Sequence, residues 1–295
     1  IIFSQVIVIT RHGARTPYST TMNEVEYNCS ILNYNFKAKN EEMPTNKLQI
    51  HFDIDNKLKG NCISWQLLDE GQIQHKKLGQ LLEKLYPGIY ENDLRSTDFT
   101  RVIMSLAAQL NRNASVHISP WLEDVFGDSM HCQTVRSYTN QIEKQTDDDL
   151  KRLQQSSWQS IGDIVASRQA ASLFIPFSVD DQRLILQKMN HQWNELLFAS
   201  SDKKMRQLFL IITAGKMMNL LQKQIQSGKS TIWSVHDIDV GGALAILTEK
   251  QIGKPGFASF LALEINDKTV KIRFRDGPDG EGEYVRIRNC GIECP

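Results

Sequence analysis

The sequence predicts an α/β protein: a three-layer, doubly wound core with a mostly parallel sheet and an inserted helical cap. Residues 2–9 are rich in Val and Ile, which is typical of a buried strand. Helical patterns follow at 69–86 and 99–110, and strand patterns return at 230–234 and 260–265. Strands that alternate with helices favour a layered α/β core.

The remaining elements follow along the chain. A polar stretch over 20–61 predicts a long surface excursion. The helix over 69–86 carries one apolar stripe and ends at Pro87. A short strand over 93–95 precedes the helix over 99–110, which Ser96 or Thr97 could cap. Residues 119–204 show mostly helical patterns. The apolar run 208–212 fits a strand or the start of a helix that continues to residue 221. Residues 240–247 predict a short helix, and 260–265 with 270–274 predict a hairpin. We therefore expect an α/β catalytic core from residues 1–110 and 205–295, with a helical cap from 111–204.

Composition narrows the class of protein. Lys plus Arg equals Asp plus Glu at 34 each, so we expect no extended basic surface for nucleic acid. The apolar runs are too short to cross a bilayer. The chain starts at Ile1 and shows no signal peptide, so we expect a mature form whose targeting segment has been removed.

Cysteines and glycosylation sequons bear on the compartment. Sequons at Asn28 and Asn113, together with five cysteines, favour an oxidising compartment and at least one disulfide. A bridge from Cys29 to Cys62 would close the polar excursion. A cytosolic protein with free thiols is the alternative.

Reactive side chains follow two strand patterns that are far apart in the sequence. Residues 11–17, Arg-His-Gly-Ala-Arg-Thr-Pro, follow the first strand, and His236 with Asp237 follows the strand over 230–234. Ligands of open α/β sheets bind beyond the carboxyl ends of strands, so both groups could face one crevice. Arg95 ends a third strand, just before a helix whose N-terminus attracts anions.

These residue types suit phosphoryl transfer. The guanidiniums of Arg11, Arg15 and Arg95 match a phosphate dianion in charge and geometry. They also disfavour an imidazolium, which keeps His12 neutral and nucleophilic. Asp237 can protonate the leaving oxygen. The set requires no metal or other cofactor. A neutral His12 together with a protonated Asp237 predicts an acidic optimum.

The motifs resemble those of the histidine acid phosphatase family. Residues 11–17 resemble its RHGxRxP signature, 234–237 its His-Asp motif, and 95–98 the stretch with a further phosphate-binding Arg. Residues 260–264 and 290–294 resemble its C-terminal strand and small disulfide loop. The chain departs at 65–68, where Trp-Gln-Leu-Leu replaces the usual Gly-Gln-Leu-Thr.

The resemblance implies roles for individual residues. His12 is then the nucleophile and Asp237 the proton donor, while the phosphate pocket consists of Arg11, Arg15, Arg95 and His236. The resemblance also implies an α/β core with a helical cap and, together with the spacing, a disulfide from Cys290 to Cys294. We assign Arg101 to helix packing or an ion pair, and His75 to the surface or a structural role.

The leading hypothesis is an acid phosphatase of broad specificity, secreted or lysosomal/vacuolar, that acts on small phosphate monoesters. A phytase-type phosphatase, a mutase and a non-catalytic phosphate-ligand binding protein are the alternatives. A membrane anchor outside this chain and a homodimer stay open.

Overall fold

The computed structural model describes residues 3–22, 24–29, 58–110, 113–120, 123–126, 132–143 and 147–295. Residues 30–57, the middle of the predicted polar excursion, lie outside the described residues. No helix in the described ranges has the length and apolar character to cross a membrane.

Eight described strands form one mixed sheet in the order β3-β2-β4-β1-β5-β6-β7, and β8 pairs with β6. Strands β3, β2, β4 and β1 are parallel to one another. The pairs β1–β5, β5–β6 and β6–β7 are antiparallel. The bounds are β1 Gln5–Arg11, β2 Asp93–Ser96, β3 Val116–Ile118, β4 Thr231–Val235, β5 Phe260–Ile265, β6 Val270–Arg275, β7 Glu283–Val285 and β8 Glu293–Cys294.

Helices cover both faces of this sheet. The described helices are α1 Asp69–Leu85, α2 Thr100–Gln109, α3 Gln133–Glu143, α4 Asp148–Arg152, α5 Trp158–Ala170, α6 Val179–Asn194, α7 Lys203–Ser227 and α8 Asp237–Leu247. A 3-10 turn spans Ile89–Glu91, and a π-helical turn, Glu195–Ala199, joins α6 to the segment before α7. One apolar core packs α1 and α2 on the sheet, and a larger core packs α7 and α8 on the other face. The predicted α/β class is confirmed.

The sheet order brings the two motif-bearing strands together. Strands β1 and β4 are parallel neighbours, and Arg11 at the end of β1 lies in register with Val235 at the end of β4. The chain therefore delivers His12 and His236 side by side at one edge of the sheet. Strand β2 flanks β4, so the loop into α2 reaches the same edge.

Of two local predictions, one is confirmed in its helical alternative and one is wrong. Residues 208–212 belong to α7; Phe209 and Leu210 are buried, whereas Leu208 and Ile211 are exposed, which is the pattern of a helix with one packed face. Neither Ser96 nor Thr97 caps α2; Phe99 stands at that position without a side-chain hydrogen bond. The Ser96 hydroxyl instead donates to the Thr97 carbonyl at 3.0 Å.

The segment predicted to be a helical cap contains α3 to α6, and it also contributes β3, which pairs with β2. The division into core and cap stays a prediction. The structure contains a disulfide between Cys29 and Cys62 and another between Cys290 and Cys294. Cys132 belongs to neither.

Candidate active site

His12 is buried at the end of β1 and held by backbone contacts. The His12 backbone amide donates to the Val235 carbonyl at 3.1 Å, and the His12 backbone carbonyl accepts from the Ala258 amide at 3.1 Å. Nδ1 lies 2.9 Å from the Gly13 carbonyl, to which it can only donate. This contact fixes the neutral tautomer and leaves the Nε2 lone pair available.

Burial, followed by the charges of Arg101, Arg11 and Arg15, holds the pKa of His12 well below its usual range. The imidazole is therefore neutral even in mild acid. A neutral imidazole with a free Nε2 is the form that can act as a nucleophile.

The loop after His12 rests directly on helix α1. A Cβ on Gly13 would lie 2.4 Å from the carbonyl oxygen of Gly71, so the two backbones can meet only because both residues are glycine. The Gly13 amide donates to the Ser105 hydroxyl at 3.0 Å, and the Ala14 amide donates to Gln74 at 2.9 Å. Helices α1 and α2 thus hold the loop through buried polar contacts.

His75 holds the backbone at Arg11, directly before His12, through a side-chain hydrogen bond. Its Nε2 donates to the Arg11 carbonyl at 3.1 Å, while Gln109 donates to its Nδ1 at 2.8 Å. The Tyr90 hydroxyl donates in turn to Gln109 at 3.0 Å. Burial lowers the pKa of His75 to about 3, so this ring stays neutral. Its placement agrees with the structural alternative in the sequence analysis.

The second imidazole, His236, faces the first. The two rings are 5.7 Å apart and nearly perpendicular. Arg101 approaches His236 Nδ1 at 3.3 Å, so that nitrogen is the acceptor and Nε2–H donates to the Thr97 hydroxyl at 3.1 Å. Burial and the charge of Arg101 hold the pKa of His236 well below its usual range.

Two guanidiniums of the first motif are paired with carboxylates. Arg11 lies 3.0 Å from Asp237, stacks over the Phe257 ring at 4.3 Å, and donates to the Pro255 carbonyl. Arg15 grips Asp163 of α5 through two bonds of 2.8 and 3.0 Å. Asp163 was not singled out in the sequence, because it lies about half the chain away from the motif.

Arg101 is the third guanidinium of the site, although its sequence context predicted helix packing or an ion pair. Its Cζ lies 4.7 Å from the Phe99 ring and 5.6 Å from the Trp65 ring. Across the described ranges, no carboxylate lies within ion-pair distance of Arg101. Burial and the charge of Arg15 lower its pKa to about 9, which still leaves it protonated in acid. Its position in the first turn of a helix that follows a strand was the available signal.

Arg95, the predicted third member, is not brought to this group. Its guanidinium pairs with Asp124 and donates to Ser119, both at 3.0 Å, and lies 5.2 Å from the Phe126 ring. Side chains alternate along a strand, and Arg95 lies in register with Trp233 on the face that packs against Phe126. We therefore correct the expectation that Arg95 belongs to the phosphate pocket.

Asp237 lies at the start of α8 beside two cations. Its Oδ2 lies 3.0 Å from Arg11 and 3.4 Å from Lys254, which also approaches Asp163 at 3.6 Å. Burial alone would raise the pKa of Asp237, but the charges of Arg11, Lys254 and Arg15 outweigh it and hold that pKa below its usual range. Asp237 is therefore a carboxylate in this structure. Lys254 is a further cation of the site, which no motif in the sequence marks.

The structure thus gathers Arg11, His12, Arg15, His236 and Asp237 at one sheet edge, adds Arg101 and Lys254, and excludes Arg95. Four cations and two carboxylates leave two positive charges, which matches a phosphate dianion. These side chains can bind the oxygens of a phosphoryl group beside a neutral imidazole.

Comparison with known proteins identifies a family model and a relative that match this chain. The sequence model described as "Histidine phosphatase superfamily (branch 2)" matches residues 2–161, more than half of the chain. Counting factor 60 of Dictyostelium discoideum is 35% identical over 127 residues, which cover 36% of this chain and 30% of that protein. The chain therefore matches less than a third of that relative's length.

Solved structures share the fold. The Hafnia alvei phytase in complex with myo-inositol hexakis sulphate superposes with a TM-score of 0.58 at 10% identity, covering 100% of this chain and 94% of that chain. The Citrobacter braakii phytase gives 0.53 at 12%, covering 93% and 85%. The D. castellii phytase gives 0.51 at 13%, covering 99% and 77%. These superpositions show a shared fold, and the sequence match over residues 2–161 shows the family: the chain belongs to branch 2 of the histidine phosphatase superfamily.

Proposed function

We propose that this protein is an acid phosphatase that hydrolyses phosphate monoesters through a phosphohistidine on His12, with Asp237 as general acid. The family supports a phosphatase in general terms. The observation that carries the proposal is a neutral His12 with a free Nε2 beside Arg101, a guanidinium without a carboxylate partner among the described residues.

The phosphate pocket consists of Arg11, Arg15, Arg101 and His236. Arg101 is partly buried and has no carboxylate partner among the described residues, so it favours an anion at this position. The guanidinium forks hold the non-bridging oxygens and position phosphorus for in-line attack. The His236 ring borders this pocket, and Arg101 and Thr97 fix its orientation, one at each ring nitrogen.

The first step transfers the phosphoryl group. His12 Nε2 attacks phosphorus, the bond to the ester oxygen breaks, and Asp237 gives its proton to that oxygen, which leaves as an alcohol. In the second step Asp237, now a carboxylate, takes a proton from a water molecule as the oxygen of that water attacks phosphorus. The P–N bond breaks, and His12 and inorganic phosphate are released.

The proton on Asp237 arrives with the substrate. Arg11 and Lys254 keep this carboxyl ionised before binding. A phosphate monoester has a second pKa of about 6, so its monoanion carries a proton into the site in acid. The bound phosphoryl group also engages Arg11 and adds negative charge near Asp237, which raises the pKa of that carboxyl. The acidic optimum follows from this delivery.

Two features support an exported protein, secreted or lysosomal. The chain has two disulfides, which persist in oxidising compartments. Both sequon asparagines, Asn28 and Asn113, are exposed and so accessible to glycosylation.

A phytase-type activity is the second candidate, and Lys254 is the observation that favours it. A substrate with many phosphates needs cations around the primary pocket, and Lys254 adds one. Its contacts with Asp163 and Asp237 reduce the charge that it offers, so the simple monoester stays the first choice.

Turnover separates these candidates. We expect the protein to release phosphate from p-nitrophenyl phosphate in acid, faster than from phytate, and without sensitivity to a metal chelator. A preference for phytate would favour the second candidate. Phosphate binding without turnover of either ester would indicate a non-catalytic binding protein.

The covalent intermediate tests the role of His12. Rapid quench in alkaline detergent, which preserves a P–N bond, should trap labelled phosphate on the parent protein and none on His12→Ala. His117→Ala is the matched control, because His117 is exposed on β3. Equal labelling of the parent and His12→Ala would refute the proposed nucleophile.

Leaving-group dependence tests Asp237. Asp237→Asn should slow esters with poor leaving groups far more than aryl esters, since only the former need a proton. Equal slowing of both would contradict the role as general acid.

A further inference from the structure

Trp65 adopts a backbone conformation that bulky residues rarely occupy. Its φ is 69°, in the left-handed region that favours glycine. Hydrogen bonds to the signature loop hold the turn: the Trp65 amide donates to the Pro17 carbonyl at 3.3 Å, and the Gln66 amide donates to the Thr16 hydroxyl at 2.9 Å. Such strain in a held turn points to a use for the side chain.

The Trp65 indole is also unusually exposed. Its relative exposure is 46%, whereas Trp158, Trp193 and Trp233 are all buried. Contiguous core packing therefore does not explain this ring. A large apolar face left in water beside a reactive pocket is the kind of surface that ligands cover.

The indole extends the proposed phosphate pocket outward. Arg101 Cζ lies 5.6 Å from the Trp65 ring, and the same guanidinium reaches His236 Nδ1 at 3.3 Å. Phe99 packs on Arg101 at 4.7 Å and is perpendicular to the His236 ring. A phosphoryl group on Arg101 thus brings its organic substituent within reach of the exposed indole.

We propose that Trp65 is a specificity-determining residue whose indole stacks on a planar aromatic group of the substrate. The inference rests on the proposed function and names a substrate class: monoesters whose alcohol carries an aromatic ring. A saturated ring such as inositol has no π system to stack, so the same feature gives phytate no stacking gain. Stacking of an aromatic ring on a protein aromatic is expected to favour binding by about tenfold.

A purely structural role would give a different pattern. If Trp65 only held Arg101 through a cation–π contact, its loss would weaken every phosphate ligand alike, including inorganic phosphate. A stacking role affects aromatic ligands selectively.

Equilibrium binding distinguishes the two roles without requiring turnover. Benzylphosphonate and cyclohexylmethylphosphonate have similar size and charge but differ in aromaticity. We expect the parent to bind the benzyl compound about tenfold more tightly. Trp65→Phe should keep most of this preference and Trp65→Gly should lose it, while the affinity for inorganic phosphate changes little.

Thermal melting completes the test. Trp65→Gly should melt no lower than the parent, because glycine relieves the positive φ. Equal loss of affinity for both phosphonates and for phosphate, or a strong drop in melting temperature, would overturn the inference. If the parent protein does not hydrolyse p-nitrophenyl phosphate, the proposed function is refuted instead. The two failures can be told apart because the phosphonate preference is measured by binding alone.

Discussion

Replacement of Arg101 by alanine should remove most of the activity, although the motifs point to Arg95. Arg101 contacts His236 and has no carboxylate partner in the described part of the chain, whereas Arg11 and Arg15 are each paired with an aspartate. Its loss halves the net positive charge of the site. A preorganised donor of this kind contributes about 2.7–4 kcal/mol, so kcat/KM should fall about 10²–10³-fold.

The assay compares an alanine variant at position 101 with conservative lysine variants at positions 101 and 95. Steady-state hydrolysis of p-nitrophenyl phosphate is measured for Arg101→Ala, Arg101→Lys and Arg95→Lys. Lysine at position 101 keeps the charge but loses the planar fork, so it should recover only part of the rate. Lysine at position 95 can still pair with Asp124, so that variant should act like the parent.

The pH profile gives a second readout. The charge of Arg101 helps to lower the pKa of His12, so Arg101→Ala should move the acidic limb of kcat/KM to higher pH. A loss of less than about tenfold in Arg101→Ala, with a large loss in Arg95→Lys, would refute this assignment. Circular dichroism and melting temperature check that all three variants are folded.

Three further predictions concern the support of the site. Gly71→Ala should destabilise the fold by several kcal/mol and lower activity, since its Cβ would lie 2.2 Å from a backbone carbonyl oxygen of the loop, whereas Gly215→Ala on α7 has open space and should stabilise by about 1 kcal/mol; urea unfolding measures both. His75 has a pKa of about 3 when folded, below its unfolded value, so it lowers the unfolding free energy by about 1.4 kcal/mol per pH unit as pH falls from about 6 to 4. His75→Gln should flatten that slope, and an unchanged slope in urea titrations would show that His75 does not titrate on unfolding. Lys254→Met removes a cation 3.4 Å from Asp237, so the pKa of the proposed acid rises and the basic limb of kcat should move up by about 1 pH unit; a shift to lower pH would contradict the argument.

Local sequence patterns were sufficient for much of the site. The apolar run that ends at Arg11 and the one that ends at Val235 encode buried strands, and the reactive residues follow at once. Because strand ends collect ligand-binding groups, His12, His236 and Asp237 could be placed together before any contact was known. The two disulfide pairings likewise followed from spacing, position and resemblance.

Long-range packing decided which cations and carboxylates join them. Arg95 and Arg101 are six positions apart and both lie near a strand end. Only the alternation of side chains on β2, and the rotation of α2 over the sheet, send Arg95 to Asp124 and Arg101 to His236.

The sequence by itself determined the α/β class, the loop that carries His12 and the partner motif at His236, because these depend on the periodicity and chemistry of neighbouring residues. Only the tertiary structure decided that Asp163 clamps Arg15, that Lys254 reaches Asp237, and that an exposed indole borders the site. Such contacts join segments far apart in the chain, and no local pattern fixes how helices and loops pack across a sheet.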